Sequence, residues 1–76
     1  MTAEYRFITF VFKDRVGLKE EWRCLTRRGS YQLGEVKWFK DWRKYCYFPT
    51  ERAVYSDGCL ADITDFLKQM NKKGSQ

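Results

Sequence analysis

Residues 5–13, opened by Tyr5 and closed by Lys13, alternate between two sets that are both largely apolar. Phe7, Thr9 and Val11 fall on one side, and Ile8, Phe10 and Phe12 on the other. Aromatic and β-branched residues at this density predict a strand. One that is apolar on both faces is expected to be central, covered, or packed against another chain. The pattern breaks over 14–18 around Gly17, and three more strands are expected as a meander over about 19–27, 31–39 and 42–48. Arg28-Gly29-Ser30 predicts a three-residue loop with Gly29 in the left-handed region, and Lys40-Asp41 a two-residue turn. Pro49 ends the fourth strand because it has no N–H for a ladder. Ala53, Val54 and Tyr55 are enough for one further short segment.

The period then changes from two to 3.6. Leu60, Ile63, Phe66, Leu67 and Met70 fall on one face of a helix expected over about 57–72. Ser56 or Asp57 supplies the N-cap. Asp57, Asp62 and Asp65 lie toward the start and Lys68, Lys72 and Lys73 toward the end, as the helix dipole favours. Gly74 terminates it. The expected class is α+β, an antiparallel meander of about four strands with one C-terminal amphipathic helix packed on one face. Residues 1–76 are too few for a second core and form a single small domain.

Registering the strands sorts the side chains into two faces. A two-residue turn at Lys40-Asp41 pairs Phe39 with Trp42, Lys37 with Lys44 and Val36 with Tyr45. Gly34, Val36, Trp38, Tyr45 and Tyr47 then share one face with Trp22 and Cys24, which the helix is expected to cover. The opposite face collects Arg23, Leu25, Arg27, Lys37, Phe39, Trp42, Lys44 and Phe48. Cations interleaved with rings suit nucleic acid, charge neutralising phosphate while rings stack on bases. Lys37 facing Lys44 would be a repulsive pair unless water or an anion lay between them. The binding residues expected are Arg23, Arg27, Lys37, Phe39, Trp42 and Lys44. The competing reading is an ordinary solvated sheet face, and a register slip of one residue would exchange the two faces.

Composition adjusts this picture in two ways. Fifteen Lys and Arg against ten Asp and Glu give a net charge of +5, which favours anionic partners. Six Phe, five Tyr and three Trp supply the burial that a short chain otherwise lacks. The three cysteines, Cys24, Cys46 and Cys59, are odd in number and widely spaced, which argues against a disulfide framework and for a reducing compartment. No signal-peptide profile opens the chain, and no apolar run is long enough to span a bilayer. A cytoplasmic protein with no membrane partner is expected.

The residues for catalysis are scarce. The chain has no histidine, the commonest general base. Zinc would need clustered Cys and His. Asp57, Asp62 and Asp65 follow a helix surface and not a calcium loop, and no phosphate-binding glycine loop is present. Cys59 near a helix start has no partner base and reads as a small core residue. The protein is expected to be a binder and not an enzyme, with no cofactor and no metal.

Two resemblances lie in the same stretch. Trp42-Arg43-Lys44-Tyr45 spells the signature of plant WRKY transcription factors, but the Gly-Gln-Lys that follows there is replaced by Cys46-Tyr47-Phe48, and the zinc ligands are missing. A longer likeness joins Leu33-Gly34-x-Val36-Lys37-Trp38, Trp42-Arg43-x-Tyr45-x-x-Phe48-Pro49, Val54-Tyr55 and Cys59-Leu60-x-Asp62-Ile63-x-x-Phe66. Across roughly residues 20–71 this resembles a group of uncharacterised small bacteriophage and prophage proteins. The resemblance implies a mobile-element origin and an accessory role exercised by binding, in the cytoplasm of a host cell.

Three functions follow as expectations. The first is a nucleic-acid binder using the basic aromatic face. The alternative is a protein-binding module that inhibits or modulates a host or defence protein. The third is a self-assembling structural protein, a homodimer or larger, in which residues 5–13 pair between chains.

Overall fold

The structure, a computed structural model, describes residues 2–28 and 31–74. Five strands and one helix follow in order: β1 (Thr2–Glu4), β2 (Ile8–Val16), β3 (Lys19–Thr26), β4 (Gln32–Phe39), β5 (Lys44–Pro49) and α1 (Asp57–Gly74). The strands form one antiparallel sheet in the order β1-β2-β3-β4-β5, a meander with α1 laid over one face. The expected α+β class is therefore observed, with one strand more than the pattern predicts. β1 is only three residues long, too short for alternation to register.

Several boundaries move, each for a local reason. β2 does not stop at Lys13. Lys13 is the extra residue of a bulge, since Phe12 pairs with Trp22 but Asp14 with Glu21. The strand then continues to Val16 and turns through Gly17 and Leu18. Gly17 has φ 64°, the left-handed conformation that a tight hairpin needs and glycine adopts without strain. Residues 53–55 are not a strand, and the expectation for Gly29 falls outside the described residues. The β4–β5 connection takes four residues and not two, with Arg43 at φ 53°. Phe39 accordingly pairs with Lys44, Trp38 with Tyr45, Lys37 with Cys46 and Val36 with Tyr47. The expected Lys37–Lys44 pair does not form.

This register differs from the expected one by two residues, an even number, so the paired residues of β4 and β5 stay on their assigned faces, while Trp42 leaves the ladder for the loop. Phe10, Trp22, Cys24, Val36 and Tyr45 are buried beneath α1, with Trp38 and Tyr47 half-buried at the margin. Ile63, Phe66 and Met70 come down from the helix. Phe66 is the central ring. It stacks on Phe10 at 4.0 Å and meets Trp22 edge-on at 5.3 Å and Tyr5 at 6.4 Å. Leu60 departs from the expected helix face and is 52% exposed. Ser56 is the N-cap, its Oγ accepting the Cys59 N–H at 3.2 Å.

Gly34 marks where β4 and β5 lie too close for a side chain. A Cβ there would come within 2.5 Å of the Tyr47 hydroxyl. That hydroxyl lies 3.0 Å from the Tyr55 hydroxyl, which donates to the Leu33 carbonyl at 2.6 Å. Tyr55 therefore ties the segment between sheet and helix back to β4. Among the described residues, no helix is long and apolar enough to cross a membrane.

Candidate nucleic-acid interface

The uncovered face of the sheet is built by the alternate residues of the strands that form the core. Arg23 on β3, Lys37 and Phe39 on β4, and Lys44 and Phe48 on β5 all lie there, as their cross-strand pairs require. Trp42 stands in the β4–β5 loop at the corner of this face. Its ring meets Phe39 edge-on at 5.1 Å, and Phe39 in turn meets Phe48 at 6.0 Å. Trp42 is nevertheless 68% exposed.

The charges on this face divide into two zones. In the middle, Glu35 accepts a hydrogen bond from Lys13 Nζ at 2.8 Å and has Lys37 Nζ 3.7 Å away. Lys13 also lies 3.9 Å from Glu21. The Lys13 hydrogen bond, aided by the charges of Lys13, Lys37 and Arg23, holds the Glu35 carboxyl below the usual carboxylate range. The same partner raises the Lys13 ammonium. Lys37 also sits 4.7 Å over the Phe48 ring. This zone is close to electrically balanced.

The second zone is the loop corner. Lys40, Arg43 and Lys44 flank Trp42 in the chain, with Asp41 as the single acid in the run. No ion pair joins these three cations to a carboxylate among the described residues. The structure thus brings Phe39, Trp42 and Lys44 together at one end of the face, while Lys37 lies further in, beside Glu35. Arg23 lies in mid-sheet. Arg27 follows the far end of β3, diagonally opposite, and is paired with Glu4 at 3.3 Å.

The corner continues around the edge of the sheet into a groove between β5 and α1, with a volume of about 360 Å³. Trp42, Lys44 and Tyr47 border it on the sheet side, and Thr64, Leu67 and Lys68 on the helix side. The cluster gains three cations that the face assignment alone did not select, Lys40, Arg43 and Lys68. Thr64, Leu67, Lys68 and Asn71 do form one stripe at helical spacing. Nothing in the helix alone says that this stripe lies beside β5.

The fold and the site define a class: a one-sheet domain with a helix on one face and a cationic aromatic corner at the free edge of the other. Over 52 residues, 68% of this chain and 67% of the relative, the sequence is 31% identical to an uncharacterised 9.3 kDa protein of Acholeplasma phage L2. The chain belongs to that family of small phage proteins. No protein-family model matches the chain. No solved structure matches it either.

Proposed function

We propose that this is a non-catalytic phage accessory protein that binds nucleic acid through the Trp42 corner of the open sheet face. One observation carries the reading: a tryptophan 68% exposed, flanked in the chain by Lys40, Arg43 and Lys44, with no carboxylate paired to any of them among the described residues. An exposed indole is a sequence-tolerant stacking platform, and unpaired cations beside it can neutralise phosphates. The balanced patch around Glu35 contributes less attraction, so the interface is narrower than the whole face.

The test is anisotropy of labelled oligonucleotides across a salt titration. Three cations at the corner, Lys40, Arg43 and Lys44, would give a log–log slope near −2 on a single strand, at roughly −0.7 per phosphate. Trp42→Ala is expected to weaken binding by about 1–3 kcal/mol. An affinity indifferent to salt, or untouched by Trp42→Ala, sinks the reading.

A second reading has one observation in its favour. Leu18, at the tip of the β2–β3 hairpin, is 91% exposed, with Val16 exposed beside it. A projecting apolar tip suits a protein partner, as in a phage-encoded module that modulates a host protein. Leu18→Ser would abolish such an association and leave oligonucleotide binding unchanged. Self-association through β2 has less room, because Thr9, Phe10 and Val11 are paired on both sides, to β1 and to β3.

A further inference from the structure

We propose that the groove between β5 and α1 seats an unpaired nucleobase, and so makes the protein select single-stranded over double-stranded nucleic acid. This rests on the nucleic-acid reading and names the form of nucleic acid that the same corner would take.

The argument begins with the edge of β5. In an antiparallel ladder, opposed residues alternate between pairs that exchange hydrogen bonds and pairs whose backbone groups point away. Thr50 N–H donates to Leu33 C=O at 2.8 Å, which makes that position a bonded pair. Counting along the register, Tyr45, Tyr47 and Pro49 turn their backbone groups outward, toward the edge. Each meets a different fate. The Tyr45 N–H donates to Asn71 Oδ1 at 2.6 Å, and Asn71 Nδ2 donates to the Tyr45 C=O at 3.2 Å. Pro49 has no N–H. Tyr47 is left with one donor and one acceptor side by side and no partner among the described residues.

A single donor–acceptor pair decides between the two kinds of occupant. An added peptide strand needs several consecutive backbone pairs, and here its neighbours are plugged by Asn71 on one side and lack a donor at Pro49 on the other. A nucleobase needs only one, because each base carries an adjacent donor and acceptor on its pairing edge. That edge is available only when the base is unpaired.

The rest of the groove fits the same ligand. Lys44 and Lys68 stand on its two walls, and none of its lining residues is a carboxylate. Leu67 offers an apolar surface and Trp42 a ring at the mouth. From Lys44 to Tyr47 is three strand steps, about 10 Å at about 3.3 Å each. The length accommodates one base stacked on Trp42 and a second against Leu67 and the Tyr47 edge. The volume of about 360 Å³ lies at the small end of the range for ligand clefts. A duplex, with its base edges paired and its width fixed, can reach the corner but not the groove.

The experiment compares a labelled ten-nucleotide oligo-dT with a duplex of equal length, using the full chain and the variants Lys68→Ala and Thr64→Trp. Thr64 is exposed, and a tryptophan there fills the groove. The wild type is expected to bind the single strand at least about tenfold more tightly than the duplex. Thr64→Trp is expected to lose about tenfold on the single strand, the lower part of the range for one stacked base, with little change on the duplex. Lys68→Ala is expected to reduce the salt slope on the single strand by about 0.7, one phosphate. Arg6→Ala, which removes an equal charge far from the corner, leaves the ratio unchanged. In spectra of the labelled protein, the Tyr47 amide resonance shifts on addition of oligo-dT.

Two results overturn the inference, and they are distinguishable. If both oligonucleotides bind equally and neither groove variant matters while Trp42→Ala does, the groove is not a base site and the corner still binds nucleic acid. If neither oligonucleotide binds at low salt, the nucleic-acid reading falls and the groove inference with it. A shift of the Tyr47 amide on adding an acidic peptide in place of oligo-dT would then give the groove to a protein partner. Thr64→Trp counts only if its thermal melt remains cooperative. Lys68→Ala, a change on the helix surface, keeps the test open if it does not.

Discussion

At the residue scale, the three cysteines separate into different environments, which spacing alone did not distinguish. Cys24 is completely buried, while Cys46 and Cys59 are half-buried. Burial is the main cause that pushes the Cys24 thiol up to about 11, and only its hydrogen bond with Tyr47 opposes this. Two measurements follow. In the native protein at about pH 8, a thiol reagent is expected to modify Cys46 and Cys59 quickly and Cys24 only after unfolding, because the thiolate is the reactive form. Rapid labelling of all three in a folded sample would contradict this. The second concerns stability. A thiol whose folded value lies above its ordinary value of 9.0 favours the fold while it is protonated. That contribution is whole below pH 9.0 and is lost as pH rises through about 11. Burial also raises the neighbouring Tyr47 and Tyr55 hydroxyls, so the losses reinforce each other. The melting temperature is expected to fall across that window, and a flat profile would show that the Cys24–Tyr47–Tyr55 cluster does not hold β4 to the segment before α1.

At the scale of elements, what could be read from the chain was what period and parity determine. The helix was legible from Ile63, Phe66 and Met70, and the two sheet faces from alternation around Val36 and Tyr47. Turn length was not legible. Lys40-Asp41 looked sufficient for a hairpin, yet Arg43 adopts a left-handed conformation and lengthens the loop to four residues. The faces survived only because the error was even. Alternation alone assigns the six candidate binding residues to one surface, whereas the structure separates Arg27 from the Trp42 corner by the length of the sheet. The groove was illegible for a different reason. It depends on where α1 lies relative to β5, and helical spacing does not encode that. Asn71 is the clearest case, a residue ordinary on a helix surface whose amide completes the Tyr45 backbone as a neighbouring strand would. Asn71→Ala is expected to cost about 1–3 kcal/mol, leaving a donor and an acceptor at the β5 edge unpaired. It also opens two outward positions, Tyr45 and Tyr47, to another chain. Mass measured against concentration should then show more association than in the wild type. A variant that associates no more than the wild type and keeps its melting temperature would mean that water replaces Asn71 without penalty.

At the scale of the whole molecule, the net charge of +5 says less than its distribution. The middle of the open face carries Lys13, Arg23 and Lys37, but Glu35 engages two of them directly and Glu21 lies 3.9 Å from Lys13. The cations at the Trp42 corner have no such restraint. Glu35 therefore acts as a local counter-ion that confines the attractive potential to one end of the sheet. Replacing it by glutamine keeps the shape, removes one negative charge, and frees Lys13 and Lys37 to meet phosphates. Two consequences can be measured together. The affinity for a single-stranded oligonucleotide should rise, and the salt slope should steepen by roughly 0.7 for each additional phosphate engaged. Stability should respond in the opposite direction. The Glu35 carboxyl is held below its usual range in the fold, so it contributes stability above its ordinary value and loses it as pH falls through the folded one. Glu35→Gln should accordingly melt slightly lower at neutral pH and lose part of the acid dependence of the wild type. If Glu35→Gln leaves both affinity and slope unchanged while Lys44→Ala lowers them, ligand never reaches mid-sheet, and binding is confined to the loop corner and the groove beside it.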